Sequence, residues 1–239
     1  MRVTHLAMTG QIRTPPSRKI AERGHSAHNG SNLNPSAKSA RSLPWASWCV
    51  ALAAVVIEAL PGARDALVYD RTALAGGQLW RAWTGHLVHF GWAHLVVDAG
   101  LLVILGWFGE RRYPVFTRWG LAAMPPFIAA AIFWFDPTMQ RYGGLSAVNL
   151  GLLLYVAAQG WRRDWTDWFW PAVIAAYVGE LLFEYFRGGH GGGAIRFDDA
   201  NISVATGAHV ASAVYALLAL AFTRLTQQPK IPPSSSPSS

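Results

Sequence analysis

The sequence predicts an all-α fold: a polytopic membrane protein built as a bundle of six transmembrane helices. Composition is the first reason. Of the 239 residues, 52% are hydrophobic, 14% are charged and 12 are tryptophan, a balance foreign to most soluble domains of this length. Distribution is the second, because the apolar residues gather in blocks instead of lining one amphipathic face. The third is that most charges fall between the blocks, where loops would carry them.

Six blocks can be read, at residues 45–60, 86–108, 119–135, 144–158, 168–186 and 202–222. Crossing a bilayer takes about 17–25 largely apolar residues, fewer where the protein thins the membrane. The second, fifth and sixth blocks reach that length without argument. The first, third and fourth are short, the block at Gly144 most of all. With the N-terminus placed in the cytoplasm, the cytoplasmic segments hold Arg111, Arg112, Arg118, Arg162, Arg163, Arg224 and Lys230 besides a basic leader. The opposite side holds Arg64, Arg71, Arg81, Arg141, Arg187 and Arg196, with aspartates among them. The positive-inside bias therefore puts both termini in the cytoplasm. Trp45, Trp119, Trp161, Trp165, Trp168 and Trp170 lie near block ends, as an interfacial belt would.

Polar extensions flank this core. Residues 1–44 are rich in Ser, Asn, Pro and Gly, and set Arg2, Arg13, Arg18, Lys19, Arg23, Lys38 and Arg41 against a single acid, Glu22. They contain no apolar run of signal-peptide type and read as a disordered cytoplasmic tail. Such a tail either pairs with anionic headgroups or stays solvated and only orients the first span. Residues 227–239, ending IPPSSSPSS, read as a second disordered tail, which leaves 45–226 as the membrane domain. Most of the net +7 belongs to the leader, so charge makes no case for nucleic-acid binding. Cys49 is the single cysteine, which excludes an internal disulfide and Cys–Cys redox chemistry. HExxH, Walker and dinucleotide fingerprints are absent, and the glycines at 188–193 read as a loop outside the fifth and sixth spans.

The densest polar cluster lies in WRAWTGHLVHFGWAHLVVDAGLLVILG. His94 and Asp98 are four apart and share one helix face; His89 stands five residues before His94. Ionisable groups inside a span are expensive unless paired or facing a wet cavity, so they mark a site. Three uses stay open. Imidazole and a neighbouring donor would stabilise developing negative charge, a His/His/Asp set would ligate zinc, and interhelical hydrogen bonds would merely fix packing.

Ser146 stands in YGGLSAVNLG, where a polar loop turns apolar, and His209 in GAHVASAVYALLAL two blocks later. A serine hydroxyl is a weak nucleophile and needs an adjacent base, most often histidine. Gly143 and Gly144 permit close backbone approach and lead into a helix whose first N–H groups favour an anion. The backbone N–H of Ser146 would then help to hold an oxyanion. Gly207, Ala208, Ala211 and Ser212 let two helices meet at backbone distance, which an imidazole needs in order to reach across. The plainer alternative is a helix-capping serine and a buried, hydrogen-bonded histidine.

Over residues 78–219 the chain resembles the rhomboid family of intramembrane serine proteases. WRAWTGHLVHFGWAHLVVDAG is similar to its Trp-Arg loop and His-rich second span, GGLSAV to its GxSx nucleophile motif, and GAHVAS to the histidine of its sixth span. The resemblance implies a six-helix rhomboid-like bundle with Ser146 as nucleophile and His209 as general base, a dyad without a catalytic aspartate. It places His94 at the oxyanion-hole histidine, beside the Ser146 backbone, and Asp98 where asparagine is usual. Trp80 and Arg81 fall on the structural motif of the first external loop, Gly144 on the glycine before the nucleophile, and Glu110 on an acid that ends the second span. No metal and no cofactor are implied. GQLWRAWTGHLVHFGWAHL and Glu184 look most like the rhombosortase subgroup. That likeness implies bacterial surface-protein substrates with a C-terminal Gly-Gly motif, an apolar anchor and basic residues. They would be cut in the inner membrane, near its outer face.

Three departures qualify the likeness. Asp98 replaces an amide that would donate to the oxyanion; the expectation is that burial keeps it protonated so that it donates there, the alternative that it orients His94 instead. Ala147 follows the nucleophile where the family has glycine, and Ser212 and Ala216 stand where glycines are common. An inactive rhomboid-like scaffold that binds client helices is therefore a rival. A transporter using the His/Asp cluster with Glu180 and Glu184 is a second, although paired internal repeats are missing.

Overall fold

The computed structural model describes residues 43–186 and 206–227, apart from the side chains of Glu180, Leu181 and Glu184. Residues 1–42 and 228–239 of the two expected tails, the glycine loop at 188–193 and the carboxylates of Glu180 and Glu184 lie outside the described residues, and Gln227 ends the last helix. In chain order the elements are α1 (Trp45–Ala59), α2 (Ala63–Leu67), β1 (Tyr69–Asp70), α3 (Arg71–Ala75), α4 (Arg81–Thr84) and a 3-10 turn (Gly85–Leu87). Then follow α5 (Trp92–Arg112), α6 (Pro114–Phe135), β2 (Arg141–Tyr142), α7 (Ser146–Arg163), α8 (Phe169–Phe186) and α9 (Thr206–Gln227). The chain is an all-α polytopic membrane protein.

Length and composition alone suffice for α5, α6 and α9 to cross a membrane, while α1 and the Phe169–Gly179 part of α8 are shorter apolar helices. The third block was expected to be short. Its helix instead starts at Pro114, five residues before the block, and runs for 22 residues. Proline is pre-shaped for the first turn of a helix, so the helix begins within the charged connection. The helix of the fifth block covers Phe169–Phe186, 18 residues.

Polarity is arranged inside out. Leu52, Val96, Ile104, Leu217 and Phe222 are exposed, whereas Ser47, His86, His89, Asp98, Glu110, Asn149, His209 and Ser212 are buried. An outward apolar surface suits lipid, and inward polar groups must then find partners within the bundle. Close helix approach is set by small residues. A Cβ at Gly151 would collide with Met124 and lie 3.2 Å from the Ser212 carbonyl, and one at Gly160 would collide with the Trp170 ring. These contacts seat α7 against α6, α8 and α9.

Two polar clamps position the rest. Arg81 donates from one guanidinium nitrogen to the Asp65 and Val68 carbonyls at 2.9 and 2.8 Å, and from Nε to Gln78 at 2.7 Å. The exposed Trp80 indole donates to the Ala66 carbonyl at 3.4 Å, so this pair gathers the end of α2. At the other end of α5, the buried Glu110 carboxylate accepts from the Ser47 N–H and hydroxyl, both at 2.8 Å, and from Arg118 at 3.2 Å. A carboxylate at the start of α1 also complements that helix's positive end. Within α6, Pro125 and Pro126 remove two backbone donors. The Pro125 carbonyl accepts from His86 Nε2 at 3.0 Å, which docks the 3-10 turn into the bundle.

Candidate active site

Tyr69 pairs with Tyr142 and Asp70 with Arg141 across the short antiparallel ladder of β1 and β2. That ladder brings the segment before α7 alongside the connection before α5. Gly143 then passes so close to Val88 that a Cβ would sit 2.8 Å from its carbonyl oxygen. Gly144 follows with φ +118°, a backbone state that side chains resist. A Cβ there would lie 2.9 Å from His94 Cε1 and 3.2 Å from Asp98 Oδ2. The two glycines therefore lay the chain directly over the cluster on α5.

Three hydrogen bonds fix the result. The Tyr142 hydroxyl donates to the Gly144 carbonyl at 3.2 Å, Leu145 N–H to Asp98 Oδ2 at 2.8 Å, and the Asn149 amide to the Asp98 carbonyl at 2.9 Å. Ser146 is the first residue of α7. Backbone N–H groups in a first helical turn have no intrahelical acceptor and favour a negative partner.

Facing it, α9 carries the buried His209, and the Ser146 hydroxyl lies 3.1 Å from His209 Nε2. That separation is within reach for proton transfer. The His209 carbonyl accepts from Ser212 at 2.8 Å and from Tyr177 of α8 at 3.2 Å. Ala208, Ala211 and Ser212 are all buried, and their small size permits the close packing of α9 on α7.

The structure also brings His89, His94 and Asp98 together. His89 Nε2 and His94 Nε2 lie 3.3 and 3.2 Å from the same oxygen, Asp98 Oδ2. This oxygen also accepts the Leu145 N–H at 2.8 Å, which ties α5 to the residue before Ser146. Trp80, Arg81 and Glu110 stand apart from the dyad. Glu110 lies 16 positions beyond His94 on α5, about 24 Å along a helix, and its contacts are those of a scaffold. Tyr142, Leu145, Asn149 and Tyr177 were not singled out in the sequence. Tyrosines in apolar surroundings pass for core, and a backbone donor leaves no mark on the residue pattern.

Among the described residues, His89, His94 and Asp98 also form a group able to hold a metal ion. Apolar grooves also lie elsewhere among the described residues. One, of about 500 Å³, is lined by Phe127, Phe135, Asp136, Gly207 and Val214 among others; another, of about 700 Å³, lies by Arg112, Trp119 and Thr226.

The fold and this site define a class: a membrane-embedded helical bundle with a serine and a histidine in contact across two packed helices. Residues 76–226 match the family model described as the Rhomboid domain. The chain belongs to the rhomboid family, a family of intramembrane serine proteases. The match begins after α1 and takes in both Ser146 and His209. No curated protein matches the chain.

Proposed function

We propose that this chain is an intramembrane serine endopeptidase working through a Ser146–His209 dyad. The observation that carries the reading is the 3.1 Å contact between the serine hydroxyl and His209 Nε2 at the start of α7. Ser146 Oγ attacks the scissile carbonyl while His209 Nε2 takes its proton. The tetrahedral oxyanion develops beside the Ser146 N–H and His94. His209 returns the proton to the leaving amine, and water then releases the acyl group by the same route. Asp98 acts as a positioning residue, holding Leu145 and His94 in place.

The substrate reading rests on the resemblance to rhombosortases. It assigns bacterial surface proteins whose C-terminal Gly-Gly motif precedes an apolar anchor, cut in the inner membrane. All six long helices then cross the bilayer, and both termini face the cytoplasm, as the loop charges favour.

An inactive scaffold is the second reading, and one observation favours it: a buried carboxylate oxygen sits against His94, where negative charge would have to develop. Labelling with a fluorophosphonate, which needs an activated serine but no knowledge of the client, separates the two. Wild type should be modified on Ser146, and His209→Ala should not. Folded wild type that takes no label would make the chain a scaffold.

A further inference from the structure

The same buried cluster has the geometry of a cation site. His89 Nε2 and His94 Nε2 lie 3.3 and 3.2 Å from Asp98 Oδ2, and one ligand atom of each residue lies within 4.8 Å of the other two. Around tetrahedral zinc, with bonds of about 2.0–2.1 Å, neighbouring ligand atoms stand about 3.3–3.4 Å apart. Both His–Asp separations thus already match the edge of such a shell.

The tautomer of His89 supplies an independent reason. Its Nδ1 is 3.1 Å from the Leu87 carbonyl. A carbonyl can only accept, so Nδ1 carries a proton, and in the neutral ring Nε2 presents a lone pair. Metal-bound histidines are typically oriented in this way by a hydrogen bond from the other nitrogen. His89 is fully buried, and its Nε2 has no hydrogen-bond partner among the described residues. Facing it is a carboxylate oxygen that already accepts from Leu145. With His89 neutral, two acceptors oppose each other 3.3 Å apart, across a gap that a cation would fill.

We propose that His89 Nε2, His94 Nε2 and Asp98 Oδ2 bind one Zn²⁺, with water at the fourth position, and that the bound ion is inhibitory. His94 Nε2 bound to zinc can no longer donate a hydrogen bond, and Asp98 Oδ2 is drawn from the Leu145 N–H that places Ser146. The inhibition rests on the protease reading above; the binding does not.

The test uses the full chain without an affinity tag, in detergent, stripped by a chelator and titrated with Co²⁺ and then Zn²⁺. One equivalent of Co²⁺ should give the strong visible absorption of a tetrahedral site, and Zn²⁺ should bleach it. Ser146→Ala should behave the same. His89→Ala and Asp98→Asn should each bind at least tenfold more weakly, with helical circular dichroism unchanged. The chain has 8 histidines, including His5, His25 and His28 of the leader. Uptake that survives both substitutions, or no tetrahedral band in wild type, overturns the site. Equimolar Zn²⁺ should cut fluorophosphonate labelling of Ser146 at least tenfold, with recovery on chelation; full labelling of the zinc-loaded protein overturns the inhibition. A chain that binds zinc through His89 but is never labelled defeats the protease reading and supports the site.

Discussion

The Leu145 N–H donates to Asp98 Oδ2 at 2.8 Å, which fastens the residue before Ser146 to α5. A hydrogen bond to a carboxylate is stronger than one between neutral groups. This one acts where a shift of the chain would move the serine relative to His209. The side chain at position 98 thus sets the geometry of α7's first turn from a different helix.

Asp98→Asn keeps the shape but offers one acceptor where the carboxylate offers two. If Asp98 positions Leu145 and His94, kcat should fall roughly 10–100-fold with KM little changed, since small misplacements at the reacting centre are costly. Steady-state kinetics on a reconstituted substrate would show it. Activity extended toward higher pH, with no loss at neutral pH, would instead revive Asp98 as a protonated donor.

Gly144→Ala should be far more damaging than a glycine change elsewhere on the same site's scaffold. Its Cβ would meet His94 and Asp98 from a backbone of φ +118°, so both strain and contact act against it. We expect at least a 100-fold loss of Ser146 labelling. Gly100→Ala on α5, whose Cβ would meet nothing within 4 Å, should label like wild type and be slightly more stable.

Glu110→Ala should destabilise without touching the chemistry. It strips the acceptor from the Ser47 N–H and hydroxyl and from Arg118, leaving buried donors unpaired. The expected loss is about 3 kcal/mol, read as a lower unfolding midpoint in detergent. Labelling per folded molecule should stay within about twofold of wild type. A large fall in that ratio would connect Glu110 to the site.

Ser146 and His209 were legible because isolated polar residues in apolar blocks stand out, and glycines announced the close approach before α7. The helical bundle was legible for the same reason. What escaped depends on backbone geometry. The start of α6 at Pro114 was hidden by the charges around it, and the two-residue ladder of Tyr69–Asp70 with Arg141–Tyr142 has no periodicity to detect. Asp98 shows the limit most clearly. Two roles fitted its position in the chain, and the oxygen's actual neighbour is a backbone N–H that no residue pattern records.

The most direct measurement co-expresses the protein with a secreted reporter ending in a Gly-Gly motif, an apolar span and basic residues, and follows the reporter's size and release. Wild type, Ser146→Ala and His209→Ala are compared at equal membrane levels. Removal of the anchor by wild type alone, with at least a 1,000-fold loss in each variant, is the expected result. Processing that continues in Ser146→Ala would contradict the dyad outright.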